Sequence, residues 1–172
     1  MKLIRKLSSQ EFNEILDVVN EAAEAYRGII PKDCWKEPYM PTEELAKERG
    51  LGVEFFGYFE EDKLLGVMGI QSVKDVTLIR HAYVLSNHQR KGIGEKLLRH
   101  LLALAQTIEI LVGTWASAWW ALRFYQKNGF RLVPEESQRL LSQYWTIPKR
   151  QAKTSIVLKL ERKCALAYNS WE

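Results

Sequence analysis

A glycine turn ringed by cationic side chains carries the first chemical possibility in this sequence. The stretch HQRKGIGEKLL, His88 to Leu98, sets Arg90, Lys91 and Lys96 around Gly92-x-Gly94 and runs straight into leucine-rich helical spacing. A helix start leaves several backbone N–H groups without internal partners, and the helix dipole adds positive potential there. Glycines let the backbone wrap closely around an oxyanion, because no Cβ stands in the way. The main-chain amides from Arg90 to Glu95 are therefore candidates to hold a pyrophosphate, with Arg90 and Lys91 attracting it. The alternative is an ordinary glycine-started helix. Two better-known phosphate patterns fail: no Gly-Lys-Ser/Thr occurs, and the last glycine of G-x-G-x-x-G would fall on Leu97.

A second possibility is Tyr125, in ALRFYQKNGFRLV, a phenol of pKa ~10 that can act as a proton donor. The plain alternative is a tyrosine packed on an amphipathic helix beside Phe124, with Phe124 the expected core residue of the two.

The elements that would position these groups follow from period and punctuation. Ser8 and Glu11 have capping-box spacing, and Phe12, Ile15, Leu16, Val19, Ala22 and Ala23 repeat at helical spacing until Arg27-Gly28. The segment GIIPKDCWKEPYMP reads as an ordered loop, and a short helix is expected with Thr42 as its cap and Gly50 at its end. VEFFGYF, LLGVMGIQSV and VTLIRHAYVLS are rich in β-branched and aromatic residues and read as a three-strand antiparallel meander. Ile93, Leu97, Leu101, Leu104, Ala105 and Ile108 then mark one helical face. EILVGTW is a short strand, and Ser117 is placed to cap a helix reaching Asn128, with Gly129 in the left-handed position after it. FRLVP and TSIVLKL complete the strands, with a helical excursion around ESQRLLSQYW.

At 172 residues the chain suits one domain, spanning 1–172, with no linker, repeat or low-complexity segment. The net charge is +4, from 25 Lys+Arg against 21 Asp+Glu. This fits an anionic ligand, but the basic residues are scattered, so no nucleic-acid partner is expected. Cys34 and Cys164 lie far apart and outside any C-x-x-C, which argues against disulfides or zinc and for a cytoplasmic setting. His88 and His100 stand outside ligand spacing, so no metal is expected. The longest uncharged stretch, Ile110 to Leu122, falls short of the ~20 residues a membrane span needs.

Two landmarks in order, Gln89-Arg90-Lys91-Gly92-Ile93-Gly94 and Phe124-Tyr125 followed by Gly129-Phe130, make the chain resemble the GNAT superfamily of acyl-CoA-dependent N-acetyltransferases. The first matches that family's Gln/Arg-x-x-Gly-x-Gly/Ala signature. The resemblance implies an α+β fold with a mixed, mainly antiparallel sheet flanked by helices. It implies transfer of an acetyl group from acetyl-CoA, as cosubstrate, to the primary amine of a small molecule or peptide. It also admits a homodimer, and a non-catalytic acyl-CoA sensor is the alternative function.

Residue by residue, the resemblance implies that the main chain of Ala82, Tyr83 and Val84 contacts the pantetheine arm, with the Val84 N–H polarising the thioester carbonyl. The segment Gln89 to Glu95 (Arg90, Lys91, Gly92, Ile93 and Gly94 between) would hold the pyrophosphate, and Tyr125 would be the general acid, a phenol of pKa ~10 protonating the leaving thiolate of coenzyme A (free thiol ~8.5) at modest cost. The strand before the turn offers Arg80 and His81 but no carboxylate, so His81 is the candidate base, although strand alternation would put Arg80 and His81 on opposite faces. A packed, hydrogen-bonded His81 is the bland alternative. Two positions depart from the family: Ala118 stands where an Asn is common, and Ser86 where a Pro is. Trp115, Trp119 and Trp120 read as core or as acceptor-pocket walls, and the Tyr26 to Pro41 loop as the place to look for acceptor recognition.

Overall fold

The computed structural model describes residues 1–163; Cys164 lies outside the described residues. Among the described residues, seven strands form one sheet in the order β1-β2-β3-β4-β5-β7-β6. They are β1 (Lys2–Lys6), β2 (Glu54–Glu60), β3 (Lys63–Val73), β4 (Val76–Val84), β5 (Glu109–Trp115), β6 (Arg131–Leu132) and β7 (Ser155–Glu161). Every pairing is antiparallel except that of β4 with β5. That parallel pair needs a crossover, and α3 (Ile93–Leu104) supplies it. The remaining helices are α1 (Phe12–Ala22), α2 (Thr42–Gly50), α4 (Trp119–Lys127), α5 (Pro134–Tyr144) and α6 (Lys149–Lys153).

Helices cover both faces, which explains why β3 reads LLGVMGI rather than alternating: its residues Leu64 to Gln71 are buried throughout. On one face Ile93, Leu97, Leu98 and Leu101 of α3 and Tyr125 of α4 pack on Met68, Ile79, Ile110, Val112 and Leu158. On the other, Ile15, Val18 and Val19 of α1 and Leu45 of α2 pack on Phe55, Phe59, Leu64 and Val67. Leu140, Leu141 and Tyr144 of α5 cover Val76, Leu78, Leu111 and Val157.

The capping box forms as expected: Ser8 accepts from Gln10 N–H, and the Glu11 carboxylate accepts from the Ser8 N–H at 2.7 Å. It opens a short 3-10 turn that leads into α1. Gly129 takes a left-handed φ of +93° after α4. Other local readings fail. Pro41 and Ala118, without side-chain caps, flank the starts of α2 and α4 where Thr42 and Ser117 were expected to act. α2 does end at Gly50, as expected, and a left-handed turn follows at Gly52. Leu104 and Ile108 are exposed, because α3 ends at Leu104 and the chain turns away. β1 and α6 were not anticipated. No helix among the described residues is long and apolar enough to cross a membrane.

Candidate active site

The site begins where the sheet comes apart. β4 and β5 pair only through Thr77, Ile79 and the residue between, against Ile110 to Val112. Beyond that, β4 stays with β3 and β5 stays with β7, so a gap opens between them. A bulge in β4 helps to open it. Gly69 opposes Arg80 and Val67 opposes Tyr83, so one extra residue sits on β4, and His81 adopts φ +51°. A left-handed φ is costly for a residue with a Cβ, and such strain gathers at functional positions.

The bulge overturns the expected alternation. Arg80 and His81 lie on the same side, and both reach one acid: Arg80 Nη1 is 2.6 Å and His81 Nε2 3.2 Å from Glu48 Oε2. Glu48 comes from α2 and is 5% exposed, so the carboxylate missing from the strand arrives from another element. Burial raises the Glu48 carboxyl, but the hydrogen bond from His81 and the charges of His81 and Arg80 outweigh it and hold it below its ordinary value. Burial lowers His81, with the Glu48 hydrogen bond opposing. The imidazole stacks on Phe55 at 5.7 Å between centroids.

Backbone direction sorts the next three residues. Leu85 N–H donates to Leu65 O at 2.9 Å, so Leu85 and Leu65 form a hydrogen-bonded pair. Antiparallel pairs alternate, so Val84 turns its N–H and C=O away from β3, toward the gap, while Tyr83 turns its own toward β3. The Val84 N–H therefore faces the gap. Tyr83 offers its side chain rather than the main-chain contacts expected of it, and Ala82 sits in the bulge.

The gap holds a cavity of 120 Å³ lined by His81, Ala82 and Tyr83 on one side and Gly113 to Trp115 on the other. Tyr125 lines it as well. It is 5% exposed and makes edge contacts with Phe124 and Phe130 at 5.0 and 5.6 Å. Its hydroxyl has no hydrogen-bond partner among the described residues, and burial, then the neighbouring Tyr26, push its pKa up. Tyr125 is more deeply buried than Phe124, the reverse of expectation; Phe124 instead backs onto the glycine turn, 3.4 Å from where a Gly94 Cβ would lie. Tyr26 and Tyr39, from the α1–α2 connection, wall the cavity with Trp115, whose indole N–H donates to Tyr39 Oη at 2.8 Å. Trp119 is 57% exposed and outside this wall. Sequence gave no signal for Tyr26 and Tyr39 beyond their place in an aromatic-rich loop.

The glycine turn lies at the end of the gap. Arg90 and Gly92 have φ of +60° and +81°, and Gly92 flanks the first residue of α3 without a side-chain cap. Such turns converge backbone N–H groups into an anion-binding hollow. A Cβ added at Gly92 would meet nothing within 4 Å, so the space before the helix is open. Arg90 and Lys91 are exposed beside it, and Ile93 contributes only its main chain because its side chain is in the core. Glu95 is drawn toward Arg99 at 2.6 Å. Gln89 does not join the hollow: its amide donates to Val84 O at 3.1 Å and ties the turn to the end of β4. A pyrophosphate fits these donors. Among the described residues no cluster of three or more His, Cys, Asp or Glu could hold a metal.

Residues 52–132 match the family described as an acetyltransferase (GNAT) domain. No curated relative matches the sequence. Among solved structures, a PaiA N-acetyltransferase from Thermoplasma acidophilum, in complex with coenzyme A, is similar at 19% identity and TM-score 0.71, with 94% of this chain and 99% of that chain covered. A GNAT-family acetyltransferase from Staphylococcus aureus shares 17% identity at TM-score 0.71, covering 94% and 99%. A ribosomal-protein-alanine N-acetyltransferase from Brucella melitensis shares 17% at 0.65, covering 93% and 99%. At these identities the likeness establishes the fold. Residues 52–132 thus match the model of an acetyltransferase (GNAT) domain, and the chain has the fold of these acetyltransferase structures.

Proposed function

We propose that the chain transfers the acetyl group of acetyl-CoA to a primary amine by direct attack in a ternary complex. The observation that carries this reading is the order in which β4 presents its groups. Along one run of chain, His81, Ala82 and Tyr83 line a cavity shared with Tyr125, Val84 turns its backbone away from β3, and the open turn at Gly92 follows.

Acetyl-CoA supplies an activated thioester and a thiolate leaving group. The amides around Gly92 to Glu95 would grip its pyrophosphate, with Arg90 and Lys91 steering it. The Val84 N–H donates to the carbonyl oxygen as negative charge develops there, an effect worth ~2.7–4 kcal/mol for comparable donors. Tyr125, kept protonated by its buried setting, donates its proton to the departing sulfur. An amine with a pKa near ~10 must first lose a proton, and His81 takes it. The Tyr26 and Tyr39 side receives the acceptor.

The test is thiol release from acetyl-CoA across a panel of primary amines. Tyr125→Phe is expected to lower kcat by about a hundredfold or more, the ordinary worth of a general acid, with KM for acetyl-CoA within a few-fold. Cofactor binding without acceptor-dependent thiol, unaltered in Tyr125→Phe, would instead identify an acyl-CoA sensor.

A further inference from the structure

We propose that Glu48 is the positioning residue for His81: its carboxylate accepts the Nε2–H and thereby leaves Nδ1 as the basic nitrogen that takes the proton of the acceptor amine. The proposal rests on the reading of His81 as the base.

Three observations carry it. An ionised carboxylate can only accept, so the 3.2 Å contact with Glu48 fixes the hydrogen on Nε2 of a neutral imidazole. Arg80 Nη1 lies 2.6 Å from the same carboxylate oxygen and favours its ionised form. Gln71 continues the chain outward, accepting from Arg80 at 3.3 Å while its own amide donates to Leu51 O at 3.0 Å. The second observation is reach: Nε2 is the ring nitrogen that meets Glu48, and His81 also lines the cavity. Third, the left-handed φ of +51° at His81 and its stacking on Phe55 hold the ring in one place.

The groups facing His81 are Glu48 and Glu44 of α2, Arg80 of its own strand, Phe55 of β2, and the phenols of Tyr26, Tyr39, Tyr83 and Tyr125 around the cavity. Glu44 is paired with Lys36. Glu48 is thus the anion in direct contact. In the step itself an N–H bond of the ammonium breaks, its electron pair stays on nitrogen, and the proton goes to Nδ1. Glu48 offsets the imidazolium charge until that proton leaves to solvent.

Two measurements test this. In the full chain, long-range proton–nitrogen NMR of the imidazoles, with His81 identified among the three histidines by its loss in His81→Ala, is expected to show the Nε2–H tautomer at neutral pH. An Nδ1–H tautomer overturns the proposal, and this reading needs no Glu48 variant to fold. The second is the pH profile of kcat/KM. Removing the anion disfavours imidazolium, so Glu48→Gln should move the acid limb down by about one pH unit, tenfold in proton affinity. Glu48→Asp keeps a charge for Arg80 but withdraws it from His81, and should shift the limb less in the same direction. If His81→Ala retains the wild-type limb, His81 is not the base and both readings fall. If His81→Ala abolishes the limb while both Glu48 variants leave its midpoint in place, the positioning role alone falls.

Discussion

Replacing Gly92 and Gly94 separately by alanine dissociates two properties that a glycine turn usually confounds. At Gly92 the added Cβ meets nothing within 4 Å, so the substitution creates no clash. Its cost is the backbone: φ is +81°, and an L-residue in the left-handed region loses about 1–2 kcal/mol. For a chain of 172 residues, at about 2–4 °C per kcal/mol, Gly92→Ala should melt about 2–8 °C lower. The methyl also occupies the hollow, and relaxation of the strain tilts the amides. Losing one hydrogen bond to a charged phosphate, about 1.5 kcal/mol at the low end, raises KM for acetyl-CoA about tenfold or more, with kcat at saturation little changed.

Gly94 behaves oppositely. Its Cβ would face the Phe124 ring at 3.4 Å, ordinary van der Waals distance, and no left-handed φ is involved. Alanine there gains about 0.5–1 kcal/mol of helix propensity, so Gly94→Ala should melt slightly higher and bind acetyl-CoA as before. Calorimetry and steady-state kinetics read both quantities. If Gly92→Ala binds like wild type, or if Gly94→Ala is the variant that loses affinity, the hollow is not where the phosphate sits.

Two further outcomes concern stability. Gly57→Ala would place a Cβ 2.5 Å from Leu64 Cδ1 and 2.8 Å from Leu7 Cδ2, so overpacking should cost about 1–3 kcal/mol and several degrees in a thermal melt; an unchanged Tm contradicts the packing described. The Ser8 hydroxyl, then Arg5 and the Ser8 N–H, lower the Glu11 pKa from 4.5 to about 2. A depressed folded-state value means that this contribution is whole above pH 4.5 and is lost as pH falls toward 2. Melts across that window should therefore fall more steeply for wild type than for Ser8→Ala, and parallel slopes would deny the coupling.

Much of this architecture is written in local patterns. The meander, α3 and β5 follow from β-branched runs and leucine spacing, and the left-handed Gly129 from its place after α4. What escaped depends on long-range packing. β1 is KLIRK, half-exposed at the sheet edge, with too little apolar alternation to declare itself. Glu48 sits in TEELAKERG, whose charge pattern reads as a solvated helix, and its burial arises only because α2 lies over the β4 bulge. The bulge itself has no signature, since the residue with positive φ is a histidine and not a glycine. Without it, alternation assigned Arg80 and His81 to opposite faces.

The parting of β4 from β5 also bears on how the chain avoids sticking to itself. An unpaired strand margin invites any extended polypeptide to add on. Here such a margin, on the β5 side, spans only Gly113 to Trp115, which line the cavity together with Tyr125. A slot that short and walled admits a slender arm carrying a few amides but not the edge of a second sheet. The fold therefore exposes reactive backbone to a small ligand without offering a template for aggregation.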